Sequence, residues 1–142
     1  MKATIILGGN FADNRGEVAF VNDFSFASIK RFYSITNSDE KPLRAWQGHK
    51  LDQKNFFCVT GSFQIFYVKV DHWENPSKNL EVKSAILKAS ESKMLVIPPG
   101  YANAILSLES NSKLISFCTL SLNDIAQDDV RFDANTWKTV EY

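Results

Sequence analysis

Short runs of β-branched and aromatic residues, separated by turn residues, recur along the whole chain. In order they read ATIILGG, EVAFVN, IKRFYSIT, NFFCVTG, SFQIFYVKVD, LEVKSAILKA, KMLVIPP, AILSLES and SKLISFCTL. Runs of this kind, spaced roughly ten residues apart, are typical of the strands of a β-sandwich or barrel. Because no segment has the pattern of a long helix, the sequence predicts an all-β protein.

Two kinds of strand are predicted. The segment Leu80–Leu87 alternates imperfectly between apolar and polar positions, as a strand with one solvated face does. FFCV and MLVI are apolar at every position, which is typical of strands covered on both faces. Two packed sheets would satisfy both patterns, with at most one or two helical turns in SLNDIAQDD near the C-terminus.

Length and charge limit the possible classes of protein. The 142 residues predict a single domain spanning 1–142, and its 16 basic and 16 acidic residues cancel. We therefore expect neither a nucleic acid partner nor a membrane partner. The apolar run in MKATIILGG is too short for a signal peptide, which favours a cytoplasmic location. Cys58 and Cys118 lie in apolar runs and are expected to be free buried thiols.

Two segments have the spacing of a cupin, a small jelly-roll barrel. QGHKLDQKNFFCVTG resembles the H-x-H, three or four residues, E, then G element, and IPPGYANAILS resembles the P-x-G-x-x-H element. In metal-binding cupins these elements supply three histidines and a glutamate to a cation. Here Gln47, Gln53 and Asn103 replace three of those ligands and only His49 remains. Amides are weak ligands for transition metals, so we predict no metal and no other cofactor.

A longer resemblance covers most of the chain. FADNRGEVAFVNDFSFASIKRFYSIT, RAWQGHKLDQKNFFCVTGSFQIFYV and KMLVIPPGYANAILSL follow one another in the order seen in metal-free RmlC-like cupins that act on nucleotide-linked sugars. The chain resembles the dTDP-4-dehydrorhamnose 3,5-epimerases and, more closely, the WxcM-like dTDP-4-keto-6-deoxyhexose 3,4-ketoisomerases. The resemblance implies a cupin double-stranded β-helix.

At two positions the chain lacks a histidine that the family pattern has. The family pattern at the first site is R-G-x-H-A-H-K, with a glutamine three residues later. The chain matches the arginine, second histidine, lysine and glutamine with Arg44, His49, Lys50 and Gln53. Gln47 replaces the first histidine, and Asn103 replaces the histidine of the second motif, I-P-P-x-x-x-H.

The implied chemistry needs a base. A 4-keto group acidifies the proton on C3, and an isomerase removes that proton and returns one to an enol or enolate. Imidazole suits this task because its ordinary pKa is about 6.5, whereas a glutamine amide cannot accept the proton. His49 is therefore the predicted catalytic residue, with Gln47 and Asn103 orienting the sugar. A 3,4-ketoisomerisation needs only one base, which moves a proton between neighbouring carbons, whereas inversion at two carbons needs more. The missing histidine therefore favours the ketoisomerase over the epimerase.

Other substrate-binding residues, among them Gln53, follow from the resemblance. Arg15, in DNRG, Arg44 and Lys50 are expected near the diphosphate, since guanidinium groups bind phosphate oxygens at two points. Tyr33 and Tyr101 could relay a proton or stack against the sugar or base, although a barrel-mouth aromatic residue explains them equally well.

Two functions remain open. The first is an isomerase or epimerase that acts on a dTDP-4-keto-6-deoxyhexose, and the second is a non-catalytic sugar-nucleotide-binding or regulatory cupin. The resemblance also implies a homodimer, in which N-terminal strands are exchanged and each site is built partly by the neighbour. MKATIILGG would otherwise leave an exposed strand edge.

Overall fold

Twelve strands make up the protein, according to a computed structural model that describes residues 1–139. In chain order they are β1 (Thr4–Leu7), β2 (Gly9–Asp13), β3 (Gly16–Phe20), β4 (Arg31–Ile35), β5 (Leu43–His49), β6 (Lys54–Thr60), β7 (Ser62–Lys69), β8 (Lys83–Lys88), β9 (Lys93–Ile97), β10 (Tyr101–Ser107), β11 (Lys113–Cys118) and β12 (Val130–Arg131). One 3₁₀ turn, Ile125–Gln127, lies in the segment where the sequence allows one or two helical turns.

The strands form two five-stranded antiparallel sheets and a separate hairpin. The first sheet has the order β1-β9-β6-β11-β4 and the second β12-β5-β10-β7-β8, while β2 pairs with β3. The all-β, two-sheet prediction is confirmed, and each of the nine apolar runs contains a strand. The runs do not predict β2, β5 and β12. Because the prediction of one domain includes residues 140–142, which lie outside the described part, it stays a prediction.

The main core lies between the two sheets. Phe56, Ile65, Leu95 and Leu114 belong to four different strands, face this core and are at most 1% exposed. A second apolar cluster covers the outer face of the second sheet, where Trp46 packs edge-on against Trp137 of the C-terminal segment. The second sheet is therefore covered on both faces in its central part, which keeps its inward-facing residues in fixed positions.

Strand β5 contains an irregularity that determines which side chains face inward. Asn103 of β10 pairs with Gln47, but Ile105 pairs with Arg44, so β5 has one more residue than β10 over this stretch. A bulge of this kind places Arg44 and Gln47 on the same face. On the opposite face Gly48 is covered, since a Cβ there would lie 2.6 Å from the Trp73 ring. One face of β5 thus carries polar side chains and the other contains a glycine, which explains why the strand lacks a simple apolar alternation.

The β2–β3 hairpin projects from the sheets. Phe11 and Val18 are 59% and 61% exposed, and the hairpin is held at its base by Asn10, whose Nδ2 donates to the Ala89 carbonyl. Phe11 is paired in register with Val18, so these two exposed apolar side chains lie next to each other on the hairpin.

The structure also bears on three smaller expectations. Cys58 and Cys118 are free and buried, as predicted. His72 belongs to the turn segment DHWENPSKN, where a solvated imidazole is expected, and it is exposed in the connection between β7 and β8. No helix within residues 1–139 is long and apolar enough to cross a membrane.

Candidate active site

A cleft of about 740 Å³ follows the gap between β4 and β5. Gln47 and His49 line it from β5, Arg31 and Tyr33 from β4, and Lys54 from the start of β6. Small-molecule sites usually have volumes of about 300–1,000 Å³, so the cleft has the size of a ligand site.

His49 is held in the form that can act as a base. Its Nδ1 lies 2.8 Å from the main-chain oxygen of Asp128, and since a carbonyl oxygen only accepts, Nδ1 donates. The remaining ring nitrogen, Nε2, therefore carries the free lone pair. Burial lowers the pKa of His49 below its ordinary value, and the positive charge of Lys54 lowers it further. The imidazole is accordingly neutral at neutral pH.

The Asp128 carboxylate fixes the turn that follows His49. The side chain is 1% exposed, and its Oδ1 accepts from the backbone N–H groups of Lys50 at 2.6 Å and Leu51 at 3.0 Å. Its Oδ2 accepts from the Asp52 N–H at 2.8 Å. Asp128 thus accepts three charge-assisted hydrogen bonds through its side chain and also contacts the His49 ring, although it lies far from His49 in the sequence.

Lys54 brings a buried positive charge to the cleft. Its Nζ lies 3.1 Å from Asp52 Oδ2 and 3.2 Å from the Tyr33 hydroxyl, and only 4% of its side chain is exposed. Burial alone would lower the pKa of Lys54, but the neighbouring Tyr33, Cys118 and Asp52 groups together raise it. Lys54 therefore remains an ammonium group in the cleft.

Asp52 is itself held rigidly. Its Oδ1 accepts from the N–H groups of Thr119 and Leu120, each at 3.0 Å. The Lys54 ammonium consequently has a counter-ion that the protein itself holds in place. Fixed charges of this kind stabilise a developing negative charge without reorganisation.

Three arginines line the cleft, namely Arg31, Arg44 and Arg131. Arg44 Nε donates to Asn37 Oδ1 at 2.8 Å, which orients the guanidinium group. Arg31 lies over the Tyr33 ring, and its buried Nε has no hydrogen-bond partner among the described residues. Buried guanidinium donors without partners indicate a site for an anionic ligand such as a phosphate.

The cleft brings together four of the nine site residues that the sequence predicts: Tyr33, Arg44, Gln47 and His49. The other five do not line it. Arg15 lies at the turn of the β2–β3 hairpin, with its side chain 83% exposed and paired with Asp13. Lys50 extends over the Trp73 ring, with its Nζ 5.6 Å from the centroid.

The remaining three lie within or beside the second sheet and the start of β6. Gln53 Nε2 donates to Asn55 Oδ1 at 3.0 Å. Asn103 is 3% exposed and is paired in register with Gln47. Tyr101 lines a different cavity.

Sequence reasoning did not identify Lys54, Asp52, Asp128, Arg31 and Arg131. A signal for Lys54 was present, because Lys54, Phe56 and Cys58 alternate along a strand whose inner face is buried. A lysine in phase with core residues is rare unless it is paired. Asp128 offers no comparable signal, because its partners are about 77 residues away in the chain.

No metal centre is evident within residues 1–139, where no group of three or more His, Cys, Asp or Glu side chains could hold an ion. The prediction that the protein needs no metal stays a prediction.

The two facing antiparallel sheets and the polar cleft between them define an RmlC-like cupin. A model of the dTDP-4-dehydrorhamnose 3,5-epimerase family matches residues 4–139. The chain therefore belongs to this family of dTDP-sugar isomerases. No curated protein sequence matches the chain.

Solved structures show the same fold. A histidine-to-asparagine mutant of the 3,4-ketoisomerase QdtA from Thermoanaerobacterium thermosaccharolyticum, in complex with TDP-4-keto-6-deoxyglucose, is 21% identical, with 92% of this chain and 88% of that one covered and a TM-score of 0.70. A dTDP sugar isomerase from Desulfovibrio desulfuricans G20 is 13% identical, with 94% and 85% covered and a TM-score of 0.76. ChmJ, a 3'-monoepimerase from Streptomyces bikiniensis in complex with dTDP-quinovose, is 18% identical, with 89% and 67% covered and a TM-score of 0.69.

Proposed function

We propose that the protein is a 3,4-ketoisomerase that acts on a dTDP-4-keto-6-deoxyhexose. The observation that carries this proposal is the pairing of a neutral imidazole, His49, with a buried ammonium group, Lys54, in one cleft. Removal of a proton beside a ketone requires a base for the proton and a positive group for the oxygen that becomes negative.

The proposed mechanism moves one proton between neighbouring carbons. His49 Nε2 removes the C3 proton, the electron pair forms a C3–C4 double bond, and the C4 oxygen takes up the negative charge. Lys54 stabilises that oxygen, and protonation gives an enediol. His49 then returns a proton to C4 while the C3 hydroxyl loses its own proton, which gives the 3-keto sugar.

Tyr33 is positioned to assist the two oxygens. Its hydroxyl oxygen accepts from Lys54 Nζ, so the phenol's own proton is free for another acceptor. A sugar oxygen in the cleft would be such an acceptor, and Tyr33 would then carry protons between the two oxygens of the enediol.

The number of imidazoles supports isomerisation over 3,5-epimerisation. Within the described residues His49 is the one histidine that lines the cleft. A single base can move a proton between C3 and C4 on one face of the sugar, whereas exchange at C3 and C5 with inversion asks for additional proton-transfer groups.

Binding would come from the amide and guanidinium groups of the same cleft. Gln47 would donate to a sugar oxygen, and Arg31, Arg44 and Arg131 would contact the diphosphate. The partly unsatisfied donors of Arg31 support this assignment. Lys50, Gln53 and Asn103 have other surroundings, and this binding scheme does not use them.

The exposed β2–β3 hairpin supports a homodimer. Phe11 and Val18 would be covered by a second copy, and the exposed Arg15 side chain, which is paired with Asp13 here, would then approach the partner's cleft. Sedimentation at micromolar concentration tests this, with a Phe11→Ser/Val18→Ser variant expected to be monomeric. The proposed location is the cytoplasm, which the free buried thiols Cys58 and Cys118 support.

The experiment that tests the function is incubation with dTDP-4-keto-6-deoxyglucose in deuterated water. Deuterium in the sugar together with a new 3-keto product, detected by NMR, supports the isomerase. Label at C3 and C5 would identify an epimerase instead. Measurable binding without label or product would favour the non-catalytic sugar-nucleotide-binding cupin.

A further inference from the structure

A second cavity, also of about 740 Å³, opens beside the connection between β7 and β8. Tyr67, Lys69, Lys83 and Tyr101 contribute to its walls, together with Leu80. Among the described residues, none lines both this cavity and the cleft. The second cavity is thus a separate space, and the proposed isomerase mechanism does not use it.

The walls of the second cavity suit a ring. The Tyr67 and Tyr101 ring centroids lie 6.2 Å apart with the planes at 64°, so the two rings form a corner. Val70 and Leu80 add aliphatic surface. Aromatic and aliphatic walls of this kind bind the faces of sugars and nucleobases.

The charges at the rim of the second cavity suit an anion. Glu81 Oε1 lies 3.7 Å from Lys83 Nζ. The Asp71 carboxylate accepts hydrogen bonds from the backbone N–H and the hydroxyl group of Ser77. Lys2 and Lys69 also line the cavity, and neither has an ion-pair partner in the part of the chain that the structure describes. The lining therefore carries three lysines against two carboxylates, and the ammonium groups of Lys2 and Lys69 are available for a ligand.

The second cavity adjoins the cleft through strand β10. Tyr101 is paired in register with His49, and Asn103 stands between Gln47 on one side and Tyr67 on the other. Asn103 is only 3% exposed and lines neither the cleft nor the second cavity.

We propose that the second cavity binds a ring compound that carries a phosphate group, as sugar phosphates and nucleoside monophosphates do. The ring packs in the corner formed by Tyr67 and Tyr101, and the phosphate contacts Lys69 and Lys2. Tyr101, expected from the sequence to lie near the substrate, belongs to this second site.

Calorimetric titration tests the proposal, with the cleft first saturated by dTDP. Glucose 1-phosphate and thymidine 5'-monophosphate are titrated separately, and the one that binds identifies the source of the ring. Inorganic phosphate, glucose and thymidine are expected to bind at least about tenfold more weakly than the better of the two, because each satisfies only part of the site.

Matched variants locate the binding. Lys69→Glu is expected to weaken it by about tenfold or more, because it replaces attraction to the phosphate by repulsion. Leu80→Trp is expected to abolish it by filling the cavity. Lys78→Glu makes the same charge change on an exposed lysine of the same connection that does not line the cavity, and it is expected to leave affinity unchanged.

Three results would overturn the proposal: no binding of either probe, equal weakening by Lys69→Glu and Lys78→Glu, or loss of binding in Arg44→Ala with normal binding in Lys69→Glu. The last result would place the probe in the cleft. If dTDP itself does not bind, the proposed isomerase fails, but the titrations of the Lys69 and Leu80 variants still decide whether the second cavity is a site.

Discussion

The cleft and the second cavity have the same volume, about 740 Å³, but they are built from different chemistry. The cleft contains His49 and Lys54, two titratable groups whose pKa values are shifted by burial and by neighbouring charges. The second cavity combines tyrosine rings with exposed lysines. Because the volumes are equal, the difference between the two spaces lies in the buried charged groups that the cleft holds, and such groups are typical of reaction sites.

The difference extends to how the polar groups are held. Asp128 and Asp52 connect the turn after β5 to two distant segments through several buried hydrogen bonds. The Lys69 side chain has no comparable support and is exposed. Fixed charges of the kind that the cleft holds suit catalysis, because they need no reorganisation during the reaction.

Apart from loss of the base itself, replacement of the cleft ammonium group should reduce turnover the most. Lys54→Met is expected to lower kcat by about two to three orders of magnitude, because it removes the positive group beside the developing oxyanion. The matched control, Lys113→Met, changes an exposed lysine on β11 and should leave kcat unchanged. Both variants are assayed for formation of the 3-keto sugar.

Lys54→Met also leaves the Asp52 carboxylate buried without its counter-ion. The double variant Asp52→Asn/Lys54→Met removes both charges and is expected to be more stable than Lys54→Met alone while remaining as inactive. Activity that returns in the folded double variant would contradict the role of the ammonium group.

Asp128 should dominate the stability of the cleft. Asp128→Asn replaces one accepting oxygen by an NH₂ group, which cannot accept from the backbone N–H groups around it. We expect the free energy of unfolding to fall by about 2–3 kcal/mol in urea titrations. The exposed carboxylate of Asp133, changed to asparagine, should cost much less, and equal losses in the two variants would show that the Asp128 contacts contribute little.

Alanine variants of Arg44 and Lys50 test which of the two side chains contacts the substrate. Arg44→Ala should raise the Kd for dTDP about tenfold, because the arginine lines the cleft, whereas Lys50→Ala should change it less than twofold. Calorimetry in low salt measures both values. A larger loss for Lys50→Ala would restore the sequence-based expectation that this lysine lies near the phosphates.

A shift in the pH profile should be the most modest of these changes. The imidazole of His49 acts as a base only when neutral, so kcat/KM should fall as the pH drops through its pKa. Because burial and Lys54 lower that pKa, the fall should lie below pH 6.5, the ordinary value. In an NMR titration of the His49 ring, the midpoint should move to higher pH in Lys54→Met, because the positive charge that lowers the pKa is removed. An unchanged midpoint would show that Lys54 does not influence the pKa of His49.

The sequence predicts the fold well because apolar alternation and turn residues are local signals. NFFCVTG and KMLVIPP become β6 and β9, as their composition indicates. Strand β5 is not predicted because its bulge, its buried glycine and its polar inner face interrupt the alternation.

The site is predicted only where a local motif marks it. RAWQGHK places Arg44, Gln47 and His49 in the cleft because they share one face of one strand. Asp128 and Arg131 come to the cleft through the pairing of β12 with β5, which joins residues more than 80 positions apart. Arg15 has the right motif, but it lies exposed on a hairpin, where its side chain is paired with Asp13.

Deuterium incorporation from solvent into dTDP-4-keto-6-deoxyglucose, by the wild-type protein and by His49→Asn, decides whether His49 is the base of a working isomerase. We expect label and 3-keto product with the wild-type protein. In His49→Asn the exchange rate should fall by about two to four orders of magnitude, with Kd for the nucleotide sugar changed only a few fold. Exchange at the wild-type rate in a folded His49→Asn variant would contradict this mechanism, because the cleft would then act without its base.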